Sequence, residues 1–314
     1  MENTVGAANY RGKAREVLKT VVKNRFFYII ALPAIILTII FNYVPMYGIV
    51  LAFKNYKARL GILGSPWVGF ENFETLFAYP EFWTAFKNTV IINLLKFVVG
   101  FPSPIMLAVM VNAIRRKLVK SATQTILYLP HFMSWVIVAN MVFSLLDTNG
   151  PLTVVLNALG GNGNYMADGS VALLIIVLSD LWKEVGWGAI IYLAALSTIS
   201  PEYYEAAKVD GASTVKQFWA ITLPMLMPTI SIMLILRAGS LIGGGFDQIY
   251  SLFKDNVEVE NTTEILDTYI YKFIGKGVQY GVATAVGLFV NISNLFLLVL
   301  TNFSVKMMGG ESLY

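Results

Sequence analysis

The sequence predicts an all-α protein, a polytopic membrane bundle of six transmembrane helices, and three observations lead there. Of 314 residues, 56% are hydrophobic and only 13% charged, far from the composition of soluble globular chains. Six apolar stretches lie near 27–52, 85–111, 124–146, 170–193, 223–245 and 278–303. Each exceeds the ~20 helical residues that cross a hydrocarbon core. The segments between them are too short for a soluble domain. The chain therefore divides into a basic N-terminal segment, 1–26, and one six-span domain, 27–314, with a polar loop at about 194–224.

Basic residues set the orientation. Arg11, Lys13, Arg15, Lys19, Lys23 and Arg25 precede the first span, and Arg115, Arg116, Lys117 and Lys120 follow the second. Lys208 and Lys216 lie in the 194–224 loop and Lys306 in the tail. The opposite side has Lys54, Lys57, Arg59, Lys254, Lys272 and Lys276. Thirteen against six puts both termini and the 194–224 loop in the cytoplasm. The basic N-terminus reads as an anchor beside anionic membrane lipid, not as a nucleic-acid surface. The first apolar run is longer than a signal-peptide core and lacks a small-residue cleavage pattern, so it reads as a retained span. With no cysteine, thiolate metal sites, redox pairs and disulfides are excluded.

The elements follow in order. Pro33 and Pro45 fall in or beside the first span, and Pro102 and Pro104 in the second, where bundle neighbours can satisfy the freed backbone groups. In the first outer loop Phe70, Phe73 and Phe77 share a helical face, which predicts a short interfacial helix. Between spans three and four, Gly150-Pro151 opens a short apolar segment that ends at Gly160-Gly161. The Gly-rich run there has no following Lys-Ser/Thr, so it is a turn and not a phosphate cradle. The last outer loop is acidic, and Thr262 or Thr263 is placed to cap a helix over roughly 264–274.

The 194–224 loop reads as helix, sharp turn, helix. Ser200 caps, Pro201 takes the first helical position and Glu202 the first turn, all favourable there. Asp210-Gly211 stops the helix, and Ser213 caps the next one. Glu205-Ala206-Ala207, three residues, Gly211, nine residues, Ile221, one residue, Leu223-Pro224 is the full spacing, with Tyr204 just before it. It resembles the EAA loop of membrane subunits of binding-protein-dependent ABC importers. An ordinary hairpin explains the caps and the glycine but not the whole string.

The resemblance runs over residues 10–310 and is to the carbohydrate-uptake permeases of the aldouronate and alginate type. Pro45-Met46-Tyr47-Gly48, Tyr128-Leu129-Pro130-His131-Phe132-Met133-Ser134-Trp135, Trp182-Lys183-Glu184-Val185-Gly186-Trp187-Gly188 and Gly245-Phe246-Asp247-Gln248-Ile249 carry it. It implies a type I ABC importer permease in the bacterial cytoplasmic membrane. It further implies a second related permease, two ABC ATPase subunits and an extracytoplasmic sugar-binding protein. This chain would bind no cofactor and no metal, with ATP and Mg on the partner ATPase. Tyr204, Glu205, Ala206, Ala207, Asp210, Gly211, Leu223 and Pro224 would form the ATPase contact.

Span four holds Asp180, Lys183 and Glu184 near its middle, with Trp182 and Trp187 beside them, and span five holds Arg237. Lys183 lies within reach of Asp180 at i,i+3. Ionisable groups inside spans are costly unless paired or wet, so they mark a substrate pathway or a self-neutralising pair of spans. Ser240 and Phe246, in the Gly-rich stretch at the end of span five, join the pathway candidates. His131, the one histidine, reads as interfacial. The function expected is passage of an oligosaccharide or polysaccharide fragment, acidic ones included. Alternatives are a permease for a small sugar or glycerol phosphate, or an ion-coupled secondary transporter, which leaves the EAA spacing unexplained. No nucleophile–base pairing, His-Glu-x-x-His or nucleotide loop is present, so no catalytic residue is expected.

Cysteine-free background makes the orientation easy to test. A cysteine replacing Asn164 or Asn256 is expected to react with an impermeant thiol reagent on intact cells, and one replacing Ser213 is not. The opposite pattern would invert the topology and take the 194–224 loop out of the cytoplasm.

Overall fold

A computed structural model describes residue 20 and residues 23–161, 163–254, 256–275 and 279–313. The basic residues before Lys23, together with Asn162, Asp255 and Lys276, lie outside the described residues. The described chain is helical, with one isolated two-residue bridge between Lys54 and Trp67 and no strand.

Helix α1, Arg25–Phe53, is apolar on every face, and nothing between Arg25 and Met46 is buried. Such a helix suits hydrocarbon, where its own backbone bonds satisfy its polar groups. Only its last turns, around Ala52, enter a core. Helix α2, Glu71–Ala78, is the short amphipathic helix expected from the Phe70–Phe77 pattern, with Leu76 buried beneath it. Helix α3, Pro80–Asn112, is 33 residues long with Pro102 just after a break at Phe101.

The third apolar stretch is not one straight span. It divides into α4, Lys117–Phe132, and α5, Trp135–Leu146, bent by 97°. Pro130 and the extended residues Met133 and Ser134 make the corner, and the Ser134 hydroxyl accepts from Ile137 N to start α5. Helix α6, Pro151–Ala158, is the short apolar segment after Gly150. Helix α7, Gly169–Ser197, is 29 residues, about 43 Å at 1.5 Å per residue, and is capped by Asp168.

Helix α8, Pro201–Val209, leads to α9, Thr214–Ala238. The fifth span thus starts earlier than the hydropathy suggested and ends at Ala238, not 245. Two proline-linked irregularities recur. A π-helical turn, Phe218–Thr222, precedes Pro224, and another, Ile39–Tyr43, precedes Pro45. Widening the turn relieves the ring's clash with the carbonyl four residues back. Helix α10, Phe246–Phe253, and α11, Leu266–Gly275, precede the last span, α12, Tyr280–Met307. Thr263 does not cap α11: its hydroxyl donates to Val259 O, while Thr268 Oγ1 accepts from Ile265 N at the helix start. Among the described residues, four helices are long and apolar enough to cross a membrane, α4 with α5 would make a fifth, and α7 reaches the same length with charges at its centre.

Helix α7 is the axis of the bundle. It packs along both halves of α3 and against α4 and α9. One core, including Ile92, Ile176 and Leu252, joins α3, α5, α7 and α10. A second, including Phe82, Leu266 and Val286, joins α3, α11 and α12, and a third, including Ala108, Leu196 and Leu226, joins α3, α7 and α9.

Candidate functional site

A cavity of about 460 Å³ opens between α3, α7, the end of α9 and the segment that follows it. Along α7, Asp180, Glu184, Trp187 and Gly188 line it at i, i+4, i+7 and i+8, one helical stripe. Trp182 lies about 200° around from Asp180 and does not line it. Lys183 is buried behind the wall, and Phe246 stacks away on Tyr250, 5.0 Å between ring centres. These three pathway candidates therefore stand outside the cavity surface, whereas Asp180, Glu184, Trp187, Arg237 and Ser240 are on it.

The charge pairing also differs from the spacing argument. Asp180 does not meet Lys183. Its partner is Lys96 of α3, 3.2 Å away and only 6% exposed. Lys96 also donates to Gln248 Oε1 of α10, and Gln248 Nε2 donates to Ile176 O at 2.8 Å and Ser179 Oγ at 2.9 Å. One ammonium thus ties α3, α7 and α10. Lys183 turns to α4, donating to the His131 carbonyl at 2.7 Å and to Glu184 Oε1 at 3.1 Å. The other Glu184 oxygen lies 2.8 Å from His131 Nδ1. The His131 ring stacks on Trp187 at 4.3 Å and 3°. His131 is therefore a packed part of the site, not an interfacial residue, because the corner between α4 and α5 carries it inward. The paired charges join spans two, three and four, not four and five.

Arg237, in the last turn of α9, reaches the cavity, is exposed, and forms no ion pair among the described residues. Sequence reasoning passed over Lys96, Asn93 and Gln248. A lysine deep in the apolar run of α3, nine residues beyond Lys87, was the available signal, but nothing in its spacing says which helix it faces.

The segment 239–245 forms the rest of the wall. Gly243, Gly244 and Gly245 have φ of +138°, +77° and +99°, a run that L side chains rarely adopt. Asparagines hold its backbone from both sides. Asn93 Nδ2 donates to Leu241 O at 2.8 Å and Gly243 O at 3.2 Å. Asn294 pairs with Ile242 through both N–H and C=O, each at 2.8 Å. The wall is thus mostly backbone.

The 194–224 loop folds as its residues require. Ser200 Oγ accepts from Glu202 N and Ser213 Oγ from Lys216 N. Gly211 takes φ +73°, while Ala212 N donates to Ala207 O at 2.8 Å and Gly211 N to Lys208 O at 3.0 Å, which closes the helix end. Tyr204 anchors the loop inward, its hydroxyl 3.0 Å from Thr222 Oγ1. Glu205, Ala206, Asp210 and Gly211 are exposed, as are Tyr203, Val209, Val215 and Trp219. Leu223-Pro224 opens the α-helical part of α9. The result is a ridge with apolar patches at the end of the bundle.

Comparison with known proteins agrees with this architecture. Residues 100–309 match the model of the family described as binding-protein-dependent transport system inner membrane component. The polygalacturonan/rhamnogalacturonan transport system permease protein YteP of Bacillus subtilis (strain 168) is 40% identical over 96% of this chain and 94% of its own. Protein LplB of the same organism is 36% identical over 96% and 95%. A chain in the crystal structure of a bacterial ABC transporter involved in the import of the acidic polysaccharide alginate superposes with a TM-score of 0.83 at 36% identity. It covers 93% of this chain and 99% of that one. A second structure of the bacterial alginate ABC transporter, in complex with alginate pentasaccharide-bound periplasmic protein, gives 0.82.

The Lys96–Asp180 pair gives a direct test of the site's construction. Lys96→Met strands a carboxylate in a low-dielectric wall, which costs about 3–5 kcal/mol when a buried pair loses one partner. The yield of folded protein on size exclusion is expected to collapse, and adding Asp180→Asn to restore it. A normal yield for Lys96→Met alone would mean that the pair does not hold the helices.

Proposed function

We propose that this chain, which belongs to the family of binding-protein-dependent transport system inner membrane components, forms half of an ATP-driven import pathway for an acidic oligosaccharide. Members of this family are membrane permease subunits and not enzymes. The observation that carries the substrate class is Arg237. Lys96 and Lys183 are held by Asp180 and Glu184, whereas the guanidinium of Arg237 faces the cavity without an ion pair among the described residues. A planar guanidinium suits a carboxylate. Trp187, on the same cavity wall and stacked on one face by His131, offers its other face to the C–H face of a pyranose, and Ser240 a hydroxyl. The names of the relatives, which concern polygalacturonan, rhamnogalacturonan and alginate, point the same way.

In this reading the chain pairs with a second related permease, because one coupling loop meets one ATPase and an ATPase pair needs two. Two ATPase subunits bearing ATP and Mg dock on the cytoplasmic side, and an extracytoplasmic binding protein delivers the sugar. Both termini, including the basic 1–26 segment, lie in the cytoplasm. The 194–224 ridge is the ATPase contact, with Glu205 its charged anchor, Ala206 and Ala207 its close-approach surface, and Asp210-Gly211 the turn that sets its shape.

Arg237 can be changed without breaking a pair, so folding and transport separate. Arg237→Gln is expected to leave folded yield unchanged and lower uptake of trigalacturonate about tenfold, with partial recovery in Arg237→Lys. Its effect on uptake of the methyl-esterified trimer is expected to be small. Wild-type uptake of trigalacturonate by Arg237→Gln would overturn the assignment of acidic substrate to this cavity.

A further inference from the structure

A second cavity, about 390 Å³, lies on the other side of α10. That volume is within the ~300–1,000 Å³ range of small-molecule sites. Gln248 faces the central cavity and Tyr250 the second one. Two residues apart on a helix is about 200°, so α10 is a partition with a different cavity on each face. The floor is apolar, with Ile249 and Phe253 buried. Two tyrosines, Tyr250 and Tyr271, stand at its edge, 5.2 Å apart and steeply inclined, and Phe246 backs both rings at 5.0 and 5.3 Å. Tyr271 is half exposed.

The rest of the lining is ionic. Lys272 pairs with both Glu260 and Glu264. Burial pushes the Glu264 carboxyl above its ordinary value, against the pull of Lys272. Lys254 completes the rim, its ammonium 5.3 Å from the Tyr250 ring centre. Four ionisable side chains around one hollow cannot face lipid, so this cavity opens to water. It lies in the loop between spans five and six, on the side opposite the 194–224 ridge.

Rigid aromatic faces over an apolar floor, ringed by carboxylates and ammonium groups that exchange hydrogen bonds with hydroxyls, are the chemistry of a pyranose. We propose that this cavity is an outer saccharide subsite, which holds one pyranose unit of the transported chain before that unit reaches the central cavity. The substrate's being a saccharide rests on the function proposed above. The subsite itself stands on the second cavity and does not involve Arg237. A chain of several units would then be met at two places, by rings outside α10 and by the charged wall inside it.

The test uses the assembled transporter in nanodiscs, without its binding protein and with the partner subunits free of cysteine. Val257, on the rim and largely exposed, is replaced by cysteine and its maleimide labelling rate followed. Trigalacturonate at 10 mM is expected to slow labelling at least fivefold, while Phe70→Cys, just before α2 and away from the cavity, is unaffected. Adding Tyr271→Leu is expected to remove most of the protection while the unprotected rate stays the same. Arg237→Gln is expected to keep the protection even where uptake falls. Loss of uptake dependence on Arg237 with protection intact would refute the central-cavity reading and leave the subsite standing. Unchanged labelling in trigalacturonate, equal slowing by sorbitol, or full protection in Tyr271→Leu would overturn the subsite.

Discussion

Lys96 is an ammonium buried well inside the long helix α3, and the arrangement around the cavity follows from what it must find there. Left alone in low dielectric such a group is costly. Asp180 supplies the counter-charge, and the amide of Gln248 takes a second N–H and passes the connection to the backbone of α7. Those partners come from helices far apart in sequence, so satisfying one charge fixes the mutual placement of α3, α7 and α10. A second set, Lys183, Glu184 and the His131 carbonyl, fixes the corner between α4 and α5 against α7 in the same way. With both lysines held in the wall, the cavity is left with Arg237 as its unpaired cation among the described residues. The paired charges and the unpaired charge that faces the cavity are therefore not competing readings of one cluster. They are different residues.

Mechanical continuity runs from the cavity to the loop. Helix α7 carries Asp180 and Glu184 at its middle and ends at Ser197, three residues before the Ser200 cap of α8. Helix α9 begins at the far side of the Gly211 turn and ends at Ala238, with Arg237 in its last turn. The ridge thus joins two of the helices that present charge to the cavity. The Tyr204–Thr222 contact clamps α8 of the ridge to α9. A push on α8 would be felt by both walls, which is what coupling between nucleotide and pathway requires.

Much of this was legible in the sequence because helices and caps are local. Ser200, Pro201, Gly211 and Ser213 each act on neighbours within four residues, so the helix–turn–helix was readable residue by residue. Apolar run length likewise placed the spans, except where the backbone leaves the helix inside an apolar run. The 97° corner at Met133-Ser134 and the end of α9 at Ala238 are invisible to hydropathy, because the residues stay apolar or small while the conformation changes. The partners of charges were the least legible. Helical spacing offered Asp180 to Lys183, but Lys96, 84 positions earlier in the chain, holds it, and only tertiary packing brings them together. Trp182 shows the limit of reading proximity as function, since two residues along a helix turn a side chain to the opposite face.

The claim on which the rest turns is that the 194–224 ridge transmits ATP hydrolysis to the pathway. Gly211 has open space around it, so a side chain there meets no clash and perturbs only the left-handed backbone, at a cost of about 1–3 kcal/mol held locally. The most direct measurement is ATP hydrolysis and vesicle uptake by the reconstituted complex carrying Gly211→Val, beside Glu205→Lys, with the binding protein and its sugar present. The account expects normal insertion, weakened retention of the ATPase, and loss of both uptake and sugar-stimulated hydrolysis. Wild-type uptake by both variants, with the ATPase still bound, would contradict it.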